Sequence, residues 1–187
     1  KMKKYTFISI LISLLFLQNR DIPQFNVITN NNPYEAKLFI HSMSNYMSII
    51  DTSLNYYWII NNNNKGMDFK SSNSKLSYFS KPSGGDDVPY WIIADQSMTE
   101  IDSIQCTLGA TDYHDIIITD YNTYILFSYN SEVYDLTSIG GNEFQVISGI
   151  LRMQEFDYNH NLIFDWYAPN YLDILDYQNI LSPGFSP

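Results

Sequence analysis

The chain has 187 residues, enough for one domain, or for one and part of another. Ten Lys and Arg stand against 20 Asp and Glu, a net charge of −10, and a field of that sign repels polyanions, so nucleic acid and anionic membrane surfaces are excluded as partners. With 45% hydrophobic and 16% aromatic residues the chain buries a sizeable core, and its single cysteine, Cys106, excludes an internal disulfide.

Lys1, Lys3 and Lys4 precede the apolar run Tyr5–Leu17, which gives way to Gln18-Asn19-Arg20-Asp21. This is the charged start and short apolar stretch of a secretory signal or N-terminal signal anchor, with a buried first strand or helix as the alternative. The run is 13 residues, against the roughly 20 that a spanning helix needs, so no integral membrane domain is expected. Residues 1–18 are therefore assigned to the signal and 19–187 to the exported domain, bound for the periplasm, the extracellular space or the cell surface. No small-x-small site follows Leu17, which leaves cleavage open.

After residue 20 the sequence offers short runs rich in Ile, Tyr, Phe and Trp, divided by Asn, Ser, Gly and Asp. Strands are expected at Ala36–Ser42, Tyr46–Asp51, Tyr56–Asn61, Lys75–Lys81, Tyr90–Asp95 and Glu100–Cys106. His114–Asp120, Thr123–Tyr129, Val146–Asp157 and Leu162–Ala168 continue the series. Tyr171–Asn179 is the one helical candidate.

The strands recur in order. Asp51, Asp95 and Asp157 each end an apolar strand and open a polar turn. A further hairpin then opens on an Asp-apolar pair, Asp68-Phe69 or Asp115-Ile116. Asp51 to Asp95 is 44 residues and Asp68 to Asp115 is 47; Asp95 to Asp157 is 62, with the excess around "NSEVYDLTSIGGNEFQ". A four-strand unit repeating every 40–50 residues or so is the mark of a β-propeller. The fold class expected is all-β, a propeller with about three blades present. Since propellers close with at least about four, the expectation is the front part of a longer protein, and the tail Ser182–Pro187 reads as a loop. The rival is a complete all-β sandwich of the same strands.

From residue 110 the text becomes more specific: "ATDYHDIIITDYNTYILFSY" (Ala110–Tyr129), then "VISGILRMQEFDYNHNLIFDW" (Val146–Trp166). The first is His-Asp, strand, turn, strand; the second is a long strand ending Gln-Glu-Phe-Asp, a turn, then Phe-x-Trp. In that order these segments resemble the bacterial aryl-sulfate sulfotransferases. "PQFNV" (Pro23–Val27), "NNPYEAKLFIHS" (Asn31–Ser42), "SIIDTSLNYYW" (Ser48–Trp58) and "MDFKSSNSKLSYF" (Met67–Phe79) are similar to that family's opening blades. The resemblance implies a six-bladed, exported propeller that moves a sulfuryl group from a phenolic sulfate ester to an acceptor phenol through a sulfated histidine. It implies no cofactor, and small phenolic donors and acceptors as partners.

Residue by residue, the resemblance assigns His114 to the channel, where it helps hold the sulfuryl or phenolic oxygen. The family's nucleophilic histidine, its His-x-Asn-Ser motif and its arginine lie in later blades and have no counterpart before Pro187, so these 187 residues alone are expected to be inactive. Asn170-Tyr171 stand where a subset of members has Asp-His, which favours the alternative, a non-catalytic secreted or surface propeller that binds or adheres.

The remaining candidates take structural readings. His41, at a strand end, and His160, in the turn "DYNHN", are expected to be solvated. Asp112, His114 and Asp115 have the chemical types for a metal site, but neighbouring side chains in a strand face opposite ways, so His114 and Asp115 are not expected to converge. Asp51, Asp95 and Asp157 are expected to cap backbone N–H groups in their turns. Trp58, Trp91 and Trp166 read as packing residues and Cys106 as a buried strand thiol. Gly84-Gly85-Asp86-Asp87 and Gly140-Gly141-Asn142 are loops without the length or Lys of a phosphate-binding loop.

Overall fold

The computed structural model describes residues 26, 28–29, 31, 34–41, 46–61, 65–81 and 88–176. The expected signal segment and the Gly84–Asp87 loop lie outside them. The chain divides into two compact units, Lys1–Gly66 and Met67–Pro187. Among the described residues the regular structure is β, relieved only by 3-10 turns, and no helix is long and apolar enough to cross a membrane.

The first unit holds a three-stranded antiparallel meander, β1 (Leu38–His41), β2 (Tyr46–Ile50) and β3 (Tyr56–Asn61), in that spatial order. Met47, Ile49 and Ile50 of the middle strand are buried.

The second unit contains two four-stranded meanders. One is β4 (Lys65–Ser72), β5 (Lys75–Ser80), β6 (Tyr90–Ala94) and β7 (Glu100–Ile104); β4 begins just before the division between units. The other is β8 (Ala110–Ile118), β9 (Tyr124–Tyr134), β10 (Gln145–Phe156) and β11 (Leu162–Tyr167). Within each sheet the strands follow chain order, and the short turns, such as those opened by Asp51, Asp95 and Asp157, can join neighbours only antiparallel.

The turns repeat in detail. In those opened by Asp51, Asp95, Thr119 and Asp157, the first residue's N–H donates to the fifth residue's carbonyl, and the fourth residue's N–H donates back to the first residue's carbonyl. The first side chain then accepts from the N–H groups of the third and fifth residues, as when Asp157 Oδ1 takes Asn159 N and Asn161 N, both at 2.8 Å. The fourth residue, Leu54, Met98, Asn122 or His160, is left-handed, with φ between 58° and 66°. The capping role expected of the three aspartates is what the structure shows, and it explains why their carboxyls lie below the ordinary range: hydrogen bonds favour the charged form.

The sequence recurrence is also a spatial one. Asp68 and Asp115 sit on the first strands of the two four-stranded sheets, while Asp51, Asp95 and Asp157 each open the turn between the last two strands of a sheet. The sheets of the second unit share one core in which Phe79, Trp91, Ile93 and Ile104 meet Ile116, Tyr124, Leu126 and Phe156. Polar contacts between them keep a nearly constant separation: Ser72 Oγ to Ile118 O spans 46 residues, Asn73 Nδ2 to Thr119 O 46, and Lys75 Nζ to Asn122 Oδ1 47. Equivalent residues of successive meanders therefore lie over one another.

β4 was not among the expected strands, although a hairpin was expected to open at Asp68-Phe69, and several boundaries differ from expectation. β8 starts at Ala110, which puts His114 inside a strand rather than at its head. β9 and β10 run on to Tyr134 and back from Gln145, so the excess in the 62-residue interval is a lengthened hairpin ending in a 3-10 turn at Thr137–Ile139. Where a helix was expected from Tyr171, the described part holds a 3-10 turn at Ile174–Asp176, and residues 177–179 lie outside the described residues.

Candidate functional site

His114 owes its position to a break in its strand. Thr111 pairs with Ser128 and Ile116 with Leu126, so Asp112, Tyr113, His114 and Asp115 all lie opposite the single residue Phe127. Such a bulge bends the strand and re-aims its side chains. The Trp91 indole, itself fully buried, donates Nε1–H to the Asp112 carbonyl at 3.1 Å and pins the bulge to the neighbouring sheet.

The bulge brings Asp112 and His114 together. The Asp112 side chain is 5% exposed, that of His114 63%, and His114 Nδ1 lies 2.7 Å from Asp112 Oδ1. The Tyr113 ring sits 3.9 Å from the imidazole, centroid to centroid, tilted by 30°. Adjacent rings could not overlap in this way on a regular strand, where they would point to opposite faces. Burial, followed by the charge of Asp112, pushes the nearby Tyr129 phenol above its ordinary pKa.

Asp115 goes elsewhere, to an ion pair with Lys70 of β4; it does not converge with His114, as expected, although the bulge removes the regular alternation from which that was argued. Lys70 also pairs with Asp68 and lies 5.5 Å from the Trp91 ring centre. The two Asp-apolar pairs of the repeat thus share one lysine. With two carboxylates beside it, Lys70 is already neutralised and is a poor candidate for a cation that holds an anionic group.

Of the other two histidines, His160 is exposed, as expected, while His41 is not. His160 Nε2 also reaches Asp102 at 3.0 Å, and the same carboxylate accepts the Tyr124 hydroxyl at 2.9 Å. Beside it lies a cleft of about 320 Å³ floored by Ile104 and Phe156 and edged by Tyr90 and Thr107; His114 does not line it. His41 is half-buried, and desolvation lowers its pKa. Trp91 is a core residue as expected, whereas Trp166 stacks on Tyr171 at 5.6 Å and 12°. Cys106 is buried as expected but follows β7 rather than lying in it, and burial raises its thiol to about 11.

Sequence reasoning missed Gln154. It is fully buried; its Oε1 accepts from Thr107 N, Thr107 Oγ1 and Leu108 N, each at 3.1 Å, and its Nε2 donates to Leu108 O and Ser128 Oγ. It fastens the connection that leads into β8. The available signal was a polar side chain two residues before the core-facing Phe156 on the same strand. The same connection needs Gly109, with φ +84°, because a Cβ there would stand 2.1 Å from Asn130 Oδ1.

Chemically, the dyad offers one reactive atom. A carboxylate only accepts hydrogen bonds, so Asp112 takes Nδ1–H and leaves the neutral imidazole with its lone pair on Nε2. That atom can receive a proton or attack an electrophile; once protonated, it can hold an oxyanion. No family model matches this sequence, and no curated protein or solved structure is significantly similar to it.

Proposed function

We propose that the chain forms the opening blades of an exported β-propeller that transfers a sulfuryl group from a phenolic sulfate ester to an acceptor phenol through a sulfated histidine, with His114 as a channel-lining auxiliary. The observation that carries this reading is the exposed His114 imidazole, hydrogen-bonded to a buried carboxylate on the first strand of a repeated meander. The propeller itself is supported by tandem sheets with equivalent turns. A sandwich of the same strands has no need to stack successive sheets at a constant 46–47 residues.

The chemistry suits such a scaffold. A neutral imidazole attacks sulfur in line, and donors around the sulfuryl oxygens and departing phenolate neutralise the charge that develops. Several blades can each aim one residue at a central channel. On this reading the nucleophilic histidine and a cation unencumbered by carboxylates come from blades that these 187 residues do not supply, since Lys70 is paired with Asp68 and Asp115.

The test is an assay on the protein translated from the complete reading frame. Phenol release from an aryl sulfate is expected only when an acceptor phenol is present, and His114→Ala should lower the rate by roughly ten- to a thousandfold. A folded protein without turnover rejects the transfer reading in favour of the non-catalytic binding propeller, for which Tyr171, stacked on Trp166 in place of a family histidine, is the favouring observation.

A further inference from the structure

We infer that Asp112 is the positioning residue of His114: its buried carboxylate fixes the imidazole as the Nδ1–H tautomer and makes Nε2 the atom offered to an acceptor phenol. For its chemical purpose this rests on the proposed transfer activity; its test does not.

Three observations converge on it. Asp112 is 5% exposed, and its carboxylate meets His114 Nδ1 at 2.7 Å. The strand bulge that allows this contact is held from behind by the Trp91 indole on the Asp112 carbonyl. The imidazole is flanked by Tyr113 yet 63% exposed, and its Nε2 has no hydrogen-bond partner among the described residues. A buried carboxylate on one ring nitrogen with the other nitrogen free is how proteins orient a working histidine. His160 shows the contrast, since its Nε2 is occupied by Asp102.

In the transfer step the phenol O–H bond breaks as Nε2–H forms, and the phenolic oxygen keeps the electron pair. That oxygen bonds to the sulfuryl sulfur as the bond from sulfur to the sulfated histidine's nitrogen breaks, its electron pair returning to that nitrogen. The imidazolium left at His114 faces the Asp112 carboxylate until Nε2 gives its proton to solvent.

The experiment is ethoxycarbonylation of the full chain by diethyl pyrocarbonate at neutral pH, followed by peptide mass spectrometry of the three histidines. A C–N bond forms at the free ring nitrogen, ethyl carbonate leaves, and the other nitrogen's proton passes to solvent. His114 should react fastest. Asp112→Asn should slow His114 by about tenfold or more, because the amide no longer enforces one tautomer. His41 and His160 should keep their rates, which reports an intact fold. Equal rates at His114 and His41 in the parent chain, or an unchanged His114 rate in Asp112→Asn, overturns the inference. Where the variant fails to fold, ¹⁵N NMR of the parent imidazole decides: an Nδ1–H tautomer supports the inference and an Nε2–H tautomer overturns it. A reactive His114 in a protein without sulfuryl transfer rejects the proposed function and leaves the role of Asp112 standing.

Discussion

Gln154 carries more polar duty than any catalytic candidate in the chain. Removing its amide takes the side-chain acceptor away from Thr107 N and Leu108 N near the core, while Leu108 O keeps the Ser128 hydroxyl. Gln154→Ala should cost about 2–4 kcal/mol, read as a lower urea midpoint with unchanged slope. Gln154→Glu should not rescue, because a second carboxylate oxygen would then face the Leu108 carbonyl. A loss below about 1 kcal/mol would reject this account. The dyad was half legible at the same scale. His114 stands out by its motif, and Asp112 lies two residues away, the spacing that puts side chains on one face. What the spacing does not report is the bulge that lays Tyr113 against the imidazole, or Lys70, which takes Asp115 from 45 residues away.

At the scale of elements, the strands announce themselves where one face is buried. Tyr56–Asn61 matches expectation end to end, and Tyr90–Ala94 differs by one residue. The far end of the β9–β10 hairpin does not: Asn130–Tyr134 is a two-stranded extension whose inward positions, Asn130, Glu132 and Tyr134, are polar and only half-buried, so its sequence lacks a clear apolar alternation. The five-residue turns are legible by their aspartates, yet their left-handed fourth position is not, because leucine and methionine stand where glycine or asparagine is usual. That position yields a prediction by sign. At Met98, φ 66°, an L side chain costs about 1 kcal/mol, so Met98→Gly should raise stability by up to that amount while Met98→Val lowers it; shifts of the same sign would refute the strain. The carboxyl caps yield another. A folded pKa held below the ordinary 3.8 contributes stability that is present above it and is lost as pH falls through the depressed value. Asp157→Asn should therefore lower the melting temperature at pH 7, and the gap to the parent should close as the pH falls below the ordinary 3.8 and through the depressed value. A gap that persists in acid would place the effect in packing rather than in the carboxylate.

At the scale of the molecule, the question is whether the two meanders of the second unit fold as one. Their cores are not separate: Phe79 and Trp91 from one and Leu126 and Phe156 from the other form a single cluster. Trp91 is at its centre, fully buried, with its ring edge-on to Phe79 at 5.3 Å and its indole N–H crossing to Asp112. Trp91→Ala should remove about 3–5 kcal/mol through the cavity and the orphaned carbonyl. If the shared core makes the sheets one cooperative unit, amide protection should fall by that free energy in β8 and β9 as well as in β5 and β6, although the substitution lies in the first sheet alone. Native-state hydrogen exchange distinguishes the cases. Loss confined to β4–β7 would mean that each meander is stable by itself, and the constant spacing of contacts between them would then be docking of finished units rather than a fold completed by its neighbour.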